Sequence, residues 1–420
     1  MGLLARLKKR KEKNHYALAL DIGTAVVKAL IFKVDSKEGK GYVGGVGRAN
    51  QAFGDMQSGA VTDIAGVVTT CEKAIREAEK ELGFRPTQVI LGIAGELVKG
   101  STTTVHYERL KPKTKIDMPE LKNILHKVQW KAFDKVRKQL AWETGHAEID
   151  VKLINAAIVD VRIDGYRVTN PLGFQGKDVS IGIFNAYAPL VHLGALQTIA
   201  AELDLDLLSI AAEPYAVARS LGLEDAPEFS AIFLDVGGGT TDIAVVRNGG
   251  VEGTKMFALG GRAFTKRISQ ELGIGLPEAE ELKIKYSLGQ LDIRELNRVR
   301  EVLAGDTRVW MSGLELALSE FTESDLLPSQ ILLCGGGSLL PEIKASIVNP
   351  RWSEDLAFAK LPQVGFIKPE EVVNIVDQTG KLTQTQDVTP MALANLALDL
   401  AGEEGAMGGI LRRVVRMMQT

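Results

Sequence analysis

The sequence predicts an α/β protein of two similar lobes, and three observations predict it. A phosphate-type hairpin occurs twice, over residues 17–32 and 231–246. Apolar strands alternate with amphipathic helices through most of the chain. One block, residues 96–178, breaks that alternation and reads as an inserted subdomain. A chain of 420 residues is also too long for one ordinary core.

The second hairpin states the design most fully. A buried strand ends in Asp235; Gly237, Gly238 and Gly239 follow, then Thr240, Thr241 and Asp242 open a second β-rich run. Glycines let backbone N–H groups approach an anion, and threonine hydroxyls add donors. The first hairpin repeats the layout: Asp21 aligns with Asp235, Gly23 with Gly237, and Lys28 with Asp242, while Thr24 supplies the hydroxyl. Alone, such a turn is only a tight turn. Duplicated, it implies two similar domains gripping one nucleotide.

Composition bounds the rest. Hydrophobic and charged fractions of 45% and 25% are those of a globular protein, and a net charge of −3 argues against nucleic acid as partner. Two cysteines, Cys71 and Cys334, and the lack of a secretory signal or a transmembrane-length apolar run lead to the expectation of an intracellular protein with reduced thiols.

In chain order, a basic tail (1–15) precedes the first part of lobe one (16–95). The tail pairs three leucines with a basic run and reads as a solvated end or a short lipid-touching helix; Arg6 stands where a myristoylation signal wants Ser or Thr. Asp63 opens a helix that stops near Gly83. In the inserted block (96–178), Asp117, Pro119 and Glu120 start a long helix, and Asp164-Gly165 turns a hairpin. Alternation is expected to resume at 179–230 with a strand over 179–187, a helix, a strand and a connecting helix headed by Glu213-Pro214. Lobe two (231–330) follows, with Gly260-Gly261 opening a helix and Glu280 and Lys283 sharing a face of the next. Taken alone, that pair reads as a surface ion pair. Residues 331–400 begin with a strand running into Gly335, Gly336, Gly337 and Ser338, a backbone surface for a flat base or sugar, and return to the first lobe.

A linker (401–407) leads to the terminal stretch 408–420. At 100° per residue, Ile410, Leu411, Val414, Val415, Met417 and Met418 fall on one side, and Arg412, Arg413 and Arg416 on the other. So short a helix is marginal in water, and an anionic membrane offers it a place. At about 1 kcal/mol per partly buried side chain and roughly 1 kcal/mol per arginine, less the cost of ordering, attachment is reversible unless many copies act together. Docking on the protein's own body is the alternative.

Asp21-Ile-Gly-Thr24, the Glu213-Pro214 helix, Asp235 to Asp242, and Cys334 to Ser338 occur in the order of the actin, heat-shock chaperone and sugar-kinase superfamily. Within it the chain resembles the bacterial cell-division FtsA family over nearly its whole length, by Gly92 to Gly95, Asn170 to Gly176, Gly260-Gly261 with Thr265, and Ala279-Glu280 with Lys283 and Tyr286. That resemblance implies an actin-like two-lobed ATPase fold whose insert is a 1C-type subdomain beside subdomains 1A, 2A and 2B. It implies ATP with Mg²⁺, held through waters by Asp21 and Asp235. Thr24 and Lys28 would meet the β-phosphate, with Gly23 in the first turn. Gly237, Gly238, Gly239, Thr240 and Thr241 would cradle phosphates. Glu280, Lys283, Gly336, Gly337 and Ser338 would surround adenosine, while Glu213 and Asp235 position water for at most slow hydrolysis.

It further implies self-assembly into filaments, capture of the C-terminal peptide of the division protein FtsZ, recruitment of other division proteins, and a place on the cytoplasmic face of the membrane at the division site. A PilM-type pilus-assembly adaptor and a small-molecule kinase are the alternatives on this fold. Lys266-Arg267, where the family carries an acid, and Asn395, in place of a Gly-Leu step, mark a divergent sequence.

Overall fold

The computed structural model describes residues 15–95, 98–145, 150–222, 226, 228–321, 325–401 and 411. Strands β1 (Tyr16–Ile22), β2 (Val26–Asp35) and β3 (Lys40–Asn50) form an antiparallel meander. A small hairpin of β4 (Met56–Gln57) and β5 (Ala60–Val61) leads to helix α1 (Ile64–Leu82) and strand β6 (Gln88–Ile93), which lies parallel to β1. The expected cap is present: the Asp63 carboxylate accepts the N–H groups of Ala65 and Gly66 at 3.0 and 3.3 Å.

The insert consists of β7 (Lys99–Glu108), α2 (Met118–Thr144), β8 (Val151–Ile163), β9 (Tyr166–Arg167) and β10 (Asp178–Pro189). Asp117 caps α2 by accepting the Glu120 N–H at 2.9 Å. One face of α2 carries Leu121, Ile124, Leu125 and Val128, buried against Ile181 and Ile183 of β10 in the insert's own core. Arg109, 3% exposed, ties the insert's loops together through Glu120 and the carbonyls of Thr114 and Gly176.

Helix α3 (Leu190–Glu202), β11 (Asp206–Ala212) and α4 (Glu213–Arg219) return to the first lobe, where β11 pairs with β6. The second lobe contains β12 (Ala231–Val236), β13 (Thr241–Arg247), β14 (Gly250–Phe257), α5 (Gly261–Leu272), α6 (Leu276–Ser287), α7 (Ile293–Ser319), β15 (Gln330–Cys334), α8 (Pro341–Val348) and β16 (Gln363–Phe366). Strand β17 (Ile375–Asp377) and helix α9 (Val388–Ala401) bring the chain back to lobe one.

Two sheets carry this architecture. Lobe one has the order β11-β6-β1-β2-β3-β17. Lobe two and the insert share one nine-stranded sheet, β16-β15-β12-β13-β14-β7-β10-β8-β9. Among the described residues its halves pair through Gly253 with Ser101 and Thr254 with Gly100, beside which the Thr102 hydroxyl donates to the Val251 carbonyl at 2.5 Å.

This corrects one expectation. The strand over 179–187 does not resume the alternation of lobe one; β10 lies inside the insert, antiparallel to β7 on one side and β8 on the other. An apolar run that is buried on both faces fits the middle of any sheet, so its pattern leaves the partner strands undetermined. Between the lobes, Ala216 of α4 and Leu393 of α9 share one core with Leu20 of β1 and Phe233 of β12, so these helices pack against both sheets.

The terminal stretch contributes one described residue. Leu411, expected to face lipid, is 3% exposed and packs in the insert's core with Leu121 and Ile181. The helical wheel correctly makes it an apolar-face residue, but its cover here is protein. Ile410, Arg412, Arg413, Val414, Val415, Arg416, Met417 and Met418 lie outside the described residues, as does the basic tail up to residue 14.

Candidate nucleotide site

The two glycine hairpins meet tip to tip. A Cβ on Gly238 would stand 2.5 Å from the Ala25 Cβ, and one on Gly239 would stand 2.6 Å from the Thr24 hydroxyl, so only glycine allows this approach. Beside the tips lies an open cleft with about 110 Å³ accessible to water-sized molecules. Asp21, Gly23, Thr24 and Lys28 line it from lobe one, and Asp235, Gly237, Gly238, Thr240 and Asp242 from lobe two; Glu213, Gly336 and His192 complete the wall.

Register shows how literal the duplication is. Asp21 stands directly opposite Lys28 across β1 and β2, and Asp235 directly opposite Asp242 across β12 and β13. The first pair is an ion pair of 2.8 Å. The second juxtaposes like charges, which is unfavourable unless one is neutral or countered. Burial, then the Asp235 charge, pushes Asp242 up to about 7, although Thr240 donates to its Oδ2 at 2.8 Å.

The neighbours follow the same physics. Burial raises Asp235 too, against the bond donated by Thr389 at 2.5 Å and the charge of Lys28. Glu213 is raised well above the usual carboxylate range by burial and by Asp21, Asp242 and Asp235. Burial opposes the charge on Lys28, but Asp21, Asp235 and Glu213 outweigh it and hold its pKa above the ordinary value. Gly92 makes room for this arrangement, since a Cβ there would lie 2.3 Å from the Glu213 Oε1.

Four carboxylates thus surround one lysine. This donor set suits a hydrated divalent cation, and among the described residues no three His, Cys, Asp or Glu groups form a direct metal cage. Asp21 and Asp235 line the cleft from opposite lobes.

Several expected site residues are placed elsewhere. Thr241 is fully buried: its hydroxyl donates to the Leu259 carbonyl and accepts the Trp310 indole N–H, each at 2.8 Å. Successive strand residues point to opposite faces, so Thr240 and Asp242 look into the cleft while Thr241 looks into the core of lobe two. Lys283, expected at adenosine, is 8% exposed and donates to Glu280 at 2.8 Å, the Thr265 hydroxyl at 2.9 Å and the Gly261 carbonyl at 3.1 Å. The Glu280–Lys283 pair therefore pins the start of α5 and does not line the cleft. Gly239, Gly337 and Ser338 also lie behind the cleft wall, with the Ser338 hydroxyl donating to the Gly335 carbonyl at 2.6 Å.

Other residues enter the site without having been singled out for it. Asp242 carried a signal, its alignment with Lys28. Thr389 and His192 carried none; each sits in the first turn of a helix, and tertiary structure alone brings it to the cleft. The His192 Nδ1 is buried with no partner among the described residues, and burial lowers its pKa. Arg262 of α5 reaches across to lobe one, donating to the carbonyls of Gln51 and Ala52 at 3.0 and 3.2 Å and stacking on Phe53 at 4.4 Å.

Comparison with known proteins places this geometry. Residues 232–357 match the family model of cell division protein FtsA. Cell division protein FtsA of Neisseria meningitidis serogroup B is 27% identical over 414 residues, covering 96% of this chain and 87% of that protein. Its counterpart in Streptococcus pneumoniae serotype 2 is 24% identical over 428 residues, covering 97% and 89%. Among solved structures, a chain of a PilM-PilN type IV pilus biogenesis complex superposes with a TM-score of 0.61 at 19% identity, covering 93% of this chain and 99% of that one, which shows a shared fold. The fold is the actin-like two-lobed ATPase fold, and over nearly its whole length the chain is similar to, and divergent from, the FtsA proteins.

Proposed function

We propose that the protein is a nucleotide-clamped, actin-like component of cell division that assembles on the cytoplasmic face of the membrane and tethers the FtsZ ring there, recruiting later division proteins. The observation that carries the nucleotide reading is the tip-to-tip meeting of two duplicated glycine hairpins over a carboxylate-rich cleft. The FtsA relatives supply the cell-division context. ATP with Mg²⁺ would supply the charge that the carboxylates lack and the phosphates that the amides await. Gly237, Gly238 and Thr240 would hold the phosphates from lobe two; Thr24 and Lys28 would hold them from lobe one. Glu213, whose pKa burial and the neighbouring carboxylates raise, would orient a water.

The tether would be the tail after residue 408, whose arginines answer anionic lipid. Because Leu411 packs in the insert, that attachment draws on a segment partly engaged with the body.

The experiment is co-pelleting of the full chain with anionic liposomes, with and without ATP, followed by negative-stain microscopy. A variant with Arg412, Arg413 and Arg416 changed to glutamate serves as comparison and leaves the Leu411 packing in place. ATP-dependent filaments on lipid, released from lipid in the variant, are expected. Protein that neither polymerises nor pellets would overturn the reading and favour the pilus-adaptor alternative.

A further inference from the structure

Helix α2 has an outer face unlike the rest of the molecule. Its inner positions are apolar and buried, but Trp130 is 63% exposed and Trp142 is 86% exposed. Between and beside them Lys127, Lys131, Lys135, Arg137 and Lys138 are exposed, against one exposed acid among the helix's described side chains, Asp134, which Lys138 pairs at 2.7 Å. At 100° per residue all of these fall within an arc of about 160°, so they form one face. Twelve residues of α-helix set the two indoles about 18 Å apart. The loop that leads into α2 continues the pattern, with Lys111, Lys113 and Lys115 exposed and Leu110 94% exposed.

A basic island on a chain of net charge −3 is a local device, since it does not reflect the composition. Exposed lysines alone would be a solvated face. Indoles left in water among them require a further reason, because an exposed Trp has large apolar surface and an N–H that needs a polar partner. A membrane–water interface meets both demands, with headgroups for the N–H and cations and the acyl boundary for the ring. The position fits as well: Leu411, at the root of the arginine-bearing tail, is packed in the core beneath this same helix.

We propose that the outer face of α2 is a second lipid-contacting surface, lying on an anionic bilayer with Trp130 and Trp142 at headgroup depth, and that it sets the orientation of the body where the tail leaves it. This surface adds to the tail-borne tether and does not depend on it.

The chain's own fluorescence tests this. Of four tryptophans, Trp130 and Trp142 are exposed, while Trp310 is fully buried and Trp352 lies in lobe two, packed on Phe358. The full chain is mixed with vesicles of phosphatidylglycerol and phosphatidylcholine that carry a brominated phosphatidylcholine. Quenching is expected with the native chain and is expected to vanish in W130F/W142F, which keeps the lysines and still pellets. The variant K131E/K135E/K138E is expected to bind vesicles about tenfold or more weakly, with the thermal midpoint retained because all three side chains are exposed. The same quenching should persist when Arg412, Arg413 and Arg416 are reversed, which separates this surface from the tail. Vesicle pelleting without quenching leaves the tail as the sole contact and overturns the proposal. Retention of the native chain on short duplex DNA without quenching overturns it in favour of nucleic acid, and loss of filaments with unchanged vesicle binding in the lysine variant overturns it in favour of a contact between copies.

Discussion

Replacing Asp242 with asparagine should make the ligand-free protein more stable at alkaline pH and flatten its dependence on pH. The carboxyl is 5% exposed and faces Asp235 directly across the hairpin, and its pKa rises from 3.8 to about 7. Between those values the folded chain holds a proton that the unfolded chain has released. Stability is therefore complete below about pH 4 and falls as pH rises through 7. A shift of about three units corresponds to an upper bound of ~4 kcal/mol lost by pH 8. Asparagine carries no charge and still accepts the Thr240 hydroxyl through Oδ1, so this loss disappears. Because Asp242 is also one of the charges raising Glu213, the variant relieves part of that group's strain as well.

The assay is thermal unfolding at pH 5, 6, 7 and 8 with chelator and without nucleotide. A cooperative unit the size of one lobe moves by about 2–4 °C per kcal/mol, so the variant should stand roughly 10 °C above the native chain at pH 8 and about 4 °C above it at pH 5, where ~1.6 kcal/mol is already lost. Parallel curves for the two proteins would show that Asp242 is ionised across the range, and the like-charge reasoning would fail.

Three further substitutions probe the same region. Gly239→Ala places a Cβ 2.6 Å from the Thr24 hydroxyl and forces the hairpins apart, so affinity for a fluorescent ATP analogue should fall at least about tenfold, or ~1.4 kcal/mol; unchanged affinity would refute the closed cleft. Arg262→Ala removes the bonds to Gln51 and Ala52 and the stack on Phe53; hydrogen exchange over 51–61 should accelerate, and equal rates would show that this bridge does not hold the lobes. Trp310→Phe strips the buried Thr241 hydroxyl of its indole partner and should cost about 1–3 kcal/mol in denaturant unfolding of lobe two, a value near zero counting against Thr241 as a structural residue.

Much of the fold was legible because local chemistry and global structure agree. The caps Asp63 and Asp117 and the turns Asp164-Gly165 and Asn248-Gly249, all four turn residues with positive φ, are set by residues adjacent in sequence. The duplicated hairpins were legible for the same reason, down to the opposition of Lys28 and Asp242. Thr241 was misread although strand parity would have turned it inward, because a Gly-Thr-Thr run reads as a uniform set of donors. Lys283 illustrates a deeper limit: spacing put Glu280 and Lys283 on one face, and only the packing of α6 on α5 decides that the face looks inward at Gly261. The tail has the same limit. Periodicity says that Leu411 belongs to an apolar face, and it is silent on whether lipid or protein covers it.

The charge pattern of the cleft gives the duplication a physical meaning. Had both hairpins carried the lysine of the first, Asp21–Lys28 and its twin would each be satisfied ion pairs, and closing the lobes would need no further partner. With Asp242 in the second, closure gathers Asp21, Glu213, Asp235 and Asp242 around Lys28 alone. Burial and mutual repulsion then raise the pKa of Asp242, to about 7, and of Asp235 and Glu213. A divalent cation carried in with a polyphosphate would offset that repulsion and give the hairpin amides of both lobes a common partner. Whatever binds the closed form more tightly than the open one shifts the lobes toward closure by that difference in affinity. On the proposed nucleotide-clamping function, the departure from symmetry at a single strand position, aspartate for lysine, would couple closure of the hairpins to a ligand.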